Sequence, residues 1–168
     1  MANPLKLLKL KPTGFQFIQE VKIDAPPAKA WKALLNADGW FRFDYQQAQR
    51  PRVTLDARLG GLFMSKTPDG SEQRLFGHVS HIEPGKLIRI NGSMGITHLP
   101  VSSAIIFELQ PGAGGKTTTL RMCHRAFGYL TSEQEKGYKG GWKQLLPQIK
   151  ALAEGGAKGA KSKKRVAR

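Results

Sequence analysis

Cysteine is nearly absent from this chain, which contains a single one, Cys123. One cysteine allows no intramolecular disulfide, and no zinc cluster can be built from cysteine ligands. Proteins without disulfides are typical of reducing compartments. We therefore expect a cytoplasmic protein whose fold depends on a hydrophobic core.

Long apolar runs are missing as well. No stretch approaches the roughly 18 uninterrupted apolar residues of a membrane span. Lys6 and Lys9 interrupt the opening segment before the apolar region of a signal peptide could form. We expect a soluble, unprocessed chain, and 168 residues with 40% apolar content suffice for one domain with a sizeable core and short tails.

Acidic residues are scarce: 12 Asp and Glu stand against 27 Lys and Arg, which gives a formal net charge of +15 at pH 7. Every acidic residue lies at or before Glu154, so residues 155–168 carry only positive charge. Their basic side chains are Lys158, Lys161, Lys163, Lys164, Arg165 and Arg168. This segment lacks apolar anchors, and we expect it to be a disordered basic tail. Two hypotheses stay open for it: a solubilising tail, and weak non-specific attraction to nucleic acid or an anionic membrane.

A change of period indicates a first strand followed by a helix. Between Phe15 and Ile23 apolar and polar side chains alternate, which is typical of a half-buried strand. Asp24 is placed to cap a helix, and Pro26 and Pro27 suit its first turn. The predicted buried stripe of that helix is Trp31, Leu34 and Leu35.

The middle of the chain predicts an antiparallel meander of short strands with tight turns. Residues 53–59 alternate between apolar and polar, and Gly60-Gly61 then permits a sharp bend. Further strands are predicted at residues 62–65, 73–82, 87–91, 103–109 and 117–126. In the last of these, the alternation places His124 on the apolar, inward side.

The last element has the strongest pattern in the chain. Its apolar residues recur at spacings of four, three, four and three, namely Tyr138, Trp142, Leu145, Ile149 and Leu152. This stripe predicts a long amphipathic helix docked on the core. Thr131 or Ser132 is placed to cap its beginning.

Several landmarks occur together in one order. They are Ala25-Pro26-Pro27 with Trp31, Gly60-Gly61 before Phe63, Gly77-His78-Val79 leading to Ile82-Glu83-Pro84, Phe107-Glu108-Leu109, Leu120 to His124 followed by Phe127, and Gly141-Trp142 with Leu145. In this order the chain resembles the bacterial homologues of the activator of the heat-shock protein 90 ATPase. That family belongs to the START-like (SRPBCC) superfamily, which also holds plant pollen allergens and polyketide cyclases.

The resemblance covers about Phe15 to Ala153 and implies an α+β helix-grip fold. In that fold a curved antiparallel sheet of about six or seven strands wraps around a long C-terminal helix. The implied organisation is an N-terminal extension at residues 1–14, a START-like domain at residues 15–154, and the basic tail at residues 155–168.

The resemblance also implies an apolar cavity between the sheet and the final helix, which superfamily members use for small hydrophobic molecules. We expect the segments Gly92–Pro100 and Trp40–Tyr45 to border its entrance. The candidate wall residues are Trp40, Phe63, Met122, His124, Tyr138, Trp142 and Leu145. His124 and Tyr138 would supply polar contacts, although His124 can also be read as a core histidine bonded to a neighbouring element.

Catalytic and metal-binding patterns are not found. His78 and His81 are three residues apart in a predicted strand, so we expect them on opposite faces, which disfavours a chelating pair. Cys123 is predicted to face outward without a partner base. No carboxylate pair, nucleophile–base order or phosphate-binding glycine motif is present. We predict no catalytic residues, no metal and no cofactor.

Three functional hypotheses follow. The first is non-catalytic binding of a small hydrophobic or amphipathic ligand in the cavity. The second is a chaperone-binding, ATPase-activating module, which the single predicted domain makes less attractive. The third is an enzyme of cyclase or hydrolase type, which would need a second polar group near His124.

Overall fold

The computed structural model describes residues 12–42 and 50–156. Most of the predicted N-terminal extension, the Phe43–Tyr45 part of the aromatic segment and residues 157–168 of the predicted tail lie outside the described residues. The strands are β1 Thr13–Ile23, β2 Arg52–Leu55, β3 Leu62–Lys66, β4 Gln73–Glu83, β5 Leu87–Gly92, β6 Val101–Pro111 and β7 Thr118–Gly128. The helices are α1 Pro27–Leu35, α2 Ala37–Trp40 and α3 Ser132–Ala153.

The strands form one curved antiparallel sheet in the order β1-β7-β6-β5-β4-β3-β2. From β3 to β7 each strand pairs with its predecessor in sequence, which is the predicted meander, and β1 pairs with β7. The helices α1 and α2 therefore connect the two edges of the sheet. With α3 packed against the inner face, the predicted α+β helix-grip fold is confirmed. No helix in the described part of the chain is long and apolar enough to cross a membrane.

The core lies between the inner face of the sheet and α3. The predicted helix stripe is confirmed, since Trp142, Leu145 and Ile149 are buried in α3. Each large side chain removed from water contributes about 1.5–3 kcal/mol before allowing for residual burial in the unfolded chain. The side chain of Thr131 accepts a hydrogen bond from the Gln134 amide, and that of Gln134 accepts one from the Thr131 amide. This capping box fixes where α3 begins.

Two local expectations are wrong. Asp24 does not cap α1: Pro26 occupies the N-cap position without a side-chain bond, and the Asp24 amide donates instead to Glu154 at the end of α3 (2.6 Å). The strand expected at residues 53–59 ends at Leu55, and Leu59 is 70% exposed. The chain turns early because residues 56–61 form hydrogen-bonded turns, which leads into the predicted bend at Gly60-Gly61.

The two neighbouring histidines on β4 do not face opposite sides. His78 pairs with Asn91 and His81 with Arg89, and these two β5 residues share the outer face of the sheet. A β-bulge between Val79 and His81 inserts one extra residue into β4. Because of this extra residue, His81 lies on the same face of the sheet as His78 although the two are three residues apart. Both histidines are exposed, and His81 lies 3.3 Å from the Glu83 carboxylate.

Candidate ligand-binding cavity

A cavity of about 480 Å³ lies between α3 and the sheet half formed by β2, β3 and β4. Its floor is buried and its rim is exposed, so it opens to solvent. The lining consists of Phe41, Pro51, Val53, Ser65, Thr67, Glu72, Arg74, Phe76, Met94, Gly95, Ile96, Gln134, Gly137, Tyr138, Gly141, Trp142 and Leu145. Both segments expected at the entrance contribute, through Phe41 and through residues 94–96.

The helical wall contains two glycines where side chains would otherwise occupy the space. Gly137 and Gly141 are one turn apart on α3 and both line the cavity. A Cβ added at Gly137 would meet no atom within 4 Å. Glycine inside a helix costs about 1 kcal/mol relative to alanine. At Gly137 the glycine therefore lowers helix stability but leaves the adjacent cavity volume unfilled.

The sheet wall is one row across three strands. Val53, Ser65 and Arg74 are register partners on β2, β3 and β4, and all three line the cavity. Phe76 follows two residues after Arg74, so both side chains lie on the same face of β4. Phe76 is buried and Arg74 is exposed. The wall is therefore apolar below and cationic at the mouth.

The third wall is the turn at residues 93–96. Met94 has a positive φ of 49°, the one such value among the described non-glycine residues. Its amide donates to the Phe76 carbonyl (2.9 Å), and its carbonyl accepts from the Tyr138 hydroxyl (2.9 Å). These bonds join the turn to both β4 and α3. They hold a backbone conformation that bulky residues rarely adopt.

An aromatic cluster supports the floor of the cavity. The ring of Trp40 lies 6.2 Å from that of Trp142 and 6.3 Å from those of Phe63 and Phe107, between centroids. The Trp40 indole donates to the Leu34 carbonyl (2.8 Å), which fixes the ring. Aromatic pairs at such separations stabilise beyond their buried area, by about 0.5–1.5 kcal/mol each.

The candidate wall residues divide into two groups. Tyr138, Trp142 and Leu145 line the cavity. Trp40, Phe63, Met122 and His124 do not; they are fully buried in the core behind it. Alternation along a strand identifies the inner face, but it does not say which part of that face remains uncovered.

His124 lies behind the cavity and contacts two of its wall residues. Its Nδ1 atom accepts a hydrogen bond from the Trp142 indole N–H (3.3 Å), and its ring meets that of Tyr138 edge-on at 4.8 Å. The tautomer therefore carries its proton on Nε2, which has no hydrogen-bond partner among the described residues. Burial lowers the pKa of His124 to about 4 and raises that of Tyr138 to about 12, so both side chains are neutral at pH 7.

Polar side chains concentrate at the mouth. Arg74 donates through Nη2 to the Glu72 carboxylate (2.6 Å), and both side chains are about half exposed. Gln134 uses its carbonyl oxygen in the capping box, while its amide nitrogen has no partner among the described residues. The hydroxyl of Thr67 is already bonded to the backbone of Glu72.

Sequence reasoning missed the sheet wall, including Arg74 and Phe76, and it expected the loop that contains Met94 at the entrance without singling out that residue. A further usable signal existed on α3, where glycines recur four residues apart beside the aromatic stripe. No group of three or more His, Cys, Asp and Glu residues that could hold a metal occurs within residues 12–42 and 50–156.

Comparisons with known proteins agree on fold and family. The family model described as Activator of Hsp90 ATPase homolog 1-like protein matches residues 24–154. A search of proteins with curated functions gave no match.

Solved structures match over most of the chain. A Chromobacterium violaceum protein is 22% identical, with 83% of this chain and 96% of that one covered and a TM-score of 0.61. A Rhizobium leguminosarum protein is 18% identical, with 86% and 97% covered and a TM-score of 0.65. A Rhizobium loti protein is 20% identical, with 84% and 99% covered and a TM-score of 0.64. At these identities the likeness shows the fold alone.

Proposed function

Given that the chain belongs to the family of Activator of Hsp90 ATPase homolog 1-like proteins, we propose that it binds a small hydrophobic or amphipathic ligand in the cavity beside α3 without transforming it. The observation that carries this proposal is the cavity of about 480 Å³ faced by Gly137 and Gly141. Ligand sites commonly have volumes of about 300–1,000 Å³, apolar walls and a few polar groups.

The lining chemistry supports binding rather than catalysis. Apolar and aromatic surface is provided by five lining residues, Phe76, Met94, Ile96, Trp142 and Leu145. The hydroxyl proton of Tyr138 is already donated to the Met94 carbonyl. His124 lies behind the wall, so it cannot act as a general base on a bound molecule without moving. We include a cytoplasmic location in the proposal because Cys123 is a free thiol.

The test is a thermal-shift panel of fatty acids, flavonoids and smaller aromatics. A ligand at about one hundred times its Kd stabilises the folded state by about 2.7 kcal/mol, which corresponds to roughly 5–10 °C in a domain of this size. We expect at least one member of the panel to raise the melting temperature. No shift for any member would contradict the proposal.

A matched pair of variants locates the binding. Gly137→Leu places a side chain in the cavity, whereas Gly140→Leu makes the same change at a helical glycine that does not line it. At both positions a Cβ meets open space, and both changes favour the helix by a similar amount. We expect only Gly137→Leu to abolish the ligand-induced shift; an equal response of the two variants would place the ligand elsewhere.

The family description favours a chaperone-binding, ATPase-activating role as a second candidate. An ATPase assay of a purified Hsp90-type chaperone with this protein tests it directly. We expect no stimulation. Stimulation that survives Gly137→Leu would favour the second candidate and leave the cavity without a role in it.

A further inference from the structure

The geometry points to an anionic ligand: we propose that the molecule bound in this cavity carries a carboxylate that pairs with Arg74, with its apolar body against Phe76 and Trp142. This inference rests on the proposed function, since it assumes that the cavity is the site. It adds the chemical class of the ligand and the residue that recognises it.

The position of Arg74 supports this assignment. Arg74 and Phe76 share one face of β4, with Phe76 buried in the floor and Arg74 exposed at the mouth. The Arg74 Cδ atom lies 3.7 Å from a Cβ placed on Gly95, so the arginine stem runs along the turn at residues 93–96. A molecule with an apolar end on Phe76 therefore has its other end beside the guanidinium.

The mouth of the cavity has more unpaired hydrogen-bond donors than charged acceptors. Arg74 engages one donor atom, Nη2, with Glu72, which leaves Nε and Nη1 without partners among the described residues. The side-chain amide of Gln134 and the hydroxyl of Ser65 are further donors without described partners. On the acceptor side, Glu72 is the one carboxylate in the lining. A mouth rich in donors is complementary to a ligand group that only accepts, as a carboxylate does.

The Arg74–Glu72 pair does not compete strongly with such a ligand. Both side chains are about half exposed, and exposed ion pairs of this kind contribute little. Nη2 carries two hydrogens, one beside Nε–H and one beside Nη1, so a ligand carboxylate can bind the fork that Glu72 leaves free, either Nε with Nη2 or Nη1 with Nη2. The net charge of +15 also raises the local concentration of anions around the protein.

The experiment compares 2-naphthoate with 2-naphthamide, which have the same ring system and differ in charge. Kd is measured by isothermal titration at low and high ionic strength for the wild type, Arg74→Gln and Arg58→Gln. Arg58 is the matched control because it makes the same kind of exposed ion pair, with the carboxylate two residues earlier, Asp56, at 2.7 Å and outside the cavity.

We expect the wild type to bind 2-naphthoate about tenfold more tightly than 2-naphthamide, as a charge-assisted bond in place of a neutral one would give. Arg74→Gln should remove this preference, Arg58→Gln should keep it, and salt should reduce it. Glu72→Gln, which removes the competing negative charge beside Arg74, should increase it.

Equal affinity for the two compounds, or a preference that survives Arg74→Gln, would overturn the anionic assignment. In that case 2-naphthamide binding that is lost in Gly137→Leu would still support the cavity as the site. If neither compound binds, the assignment to an aromatic carboxylate is wrong, and the thermal-shift panel decides separately whether the cavity binds other ligands.

Discussion

His124 is a buried side chain whose ionisation bears directly on stability. It is fully buried, and its Nδ1 atom accepts a hydrogen bond from Trp142. Protonation would place a charge in the core and remove that acceptor. Since the folded-state pKa of about 4 lies below the ordinary value of 6.5, the unfolded chain binds more protons between these values. Stability therefore falls as the pH drops from about 6.5 towards 4.

The variant His124→Gln tests this linkage, because glutamine keeps an acceptor for Trp142 and does not titrate. Between pH 7 and pH 5 the wild type should lose about 2 kcal/mol more unfolding free energy than the variant does, measured by urea denaturation. The exposed His81→Gln is the control and should follow the wild type. An equal pH dependence in wild type and His124→Gln would show that His124 is not the group responsible.

The inward face of His124 could be predicted from sequence, since it follows Leu120 and Met122 at strand spacing. Its partner could not, because Trp142 is 18 residues away on another element. Nor could the alternation show that His124 lies behind the cavity. That position depends on how α3 crosses the sheet, which no local pattern encodes.

Asp38 joins the helix α2 to the strand β2 at the edge of the cavity. Its Oδ1 atom accepts from the amide of Val53 (3.0 Å), and Oδ2 pairs with Arg50 (2.8 Å). Burial alone would raise the pKa of Asp38, but the hydrogen bonds from Val53 and Arg50 hold it below its ordinary value of 3.8. This stabilisation is present above pH 3.8 and is lost as the pH falls through the lowered pKa.

Asp38→Ala should destabilise the fold by about 1–3 kcal/mol, because it leaves the amide of buried Val53 without its acceptor. Asp38→Asn keeps an oxygen for that amide and should cost less. Asp56→Ala, which removes an exposed pair with Arg58, is the control and should change unfolding free energy by less than about 1 kcal/mol. An equal, small effect of Asp38→Ala and Asp56→Ala in chemical denaturation would contradict this role.

Helices and strands could be predicted from the sequence wherever the apolar residues kept a single spacing, either helical or alternating, along the whole element. The α3 stripe and the alternation in β1, β6 and β7 predicted those elements within a few residues. The errors lie where a tertiary bond or an inserted residue changes the phase. The β4 bulge brought His81 onto the face of His78, and Asp24 bonds to the end of α3 instead of capping α1. The bulge does show in the spacing of the inward apolar residues, since Val79 and Ile82 are three apart instead of an even number, whereas the Asp24 bond has no such sign in the sequence.

The cavity is assembled from segments that lie far apart in the chain. Phe41 follows α2, Phe76 lies on β4, Met94 lies in a turn and Trp142 lies on α3. The resemblance predicted that such a space exists between sheet and helix. Its location at the β2–β4 half could not be predicted, because it depends on which part of the inner face α3 leaves uncovered.

The basic segment at residues 157–168 can be tested apart from the cavity. Residues 157–168 carry six of the 27 basic side chains, whereas Gly155 and Gly156 complete hydrogen bonds to the last turns of α3. A variant that ends at Gly156 should keep the melting temperature of the full chain. Weak binding of the full chain to duplex DNA at low salt should fall steeply with added salt and be lost in the variant, as measured by fluorescence anisotropy. Binding that is insensitive to salt, or unchanged in the variant, would contradict an electrostatic role for this segment.

A crystal structure of the protein soaked with 2-naphthamide would show directly whether the cavity binds a ligand, because this neutral ring system does not depend on Arg74. We expect electron density for the ring between α3 and β4, in contact with Phe76 and Trp142 and over Gly137. A structure in which side chains fill this space and no ligand density is seen would contradict this expectation.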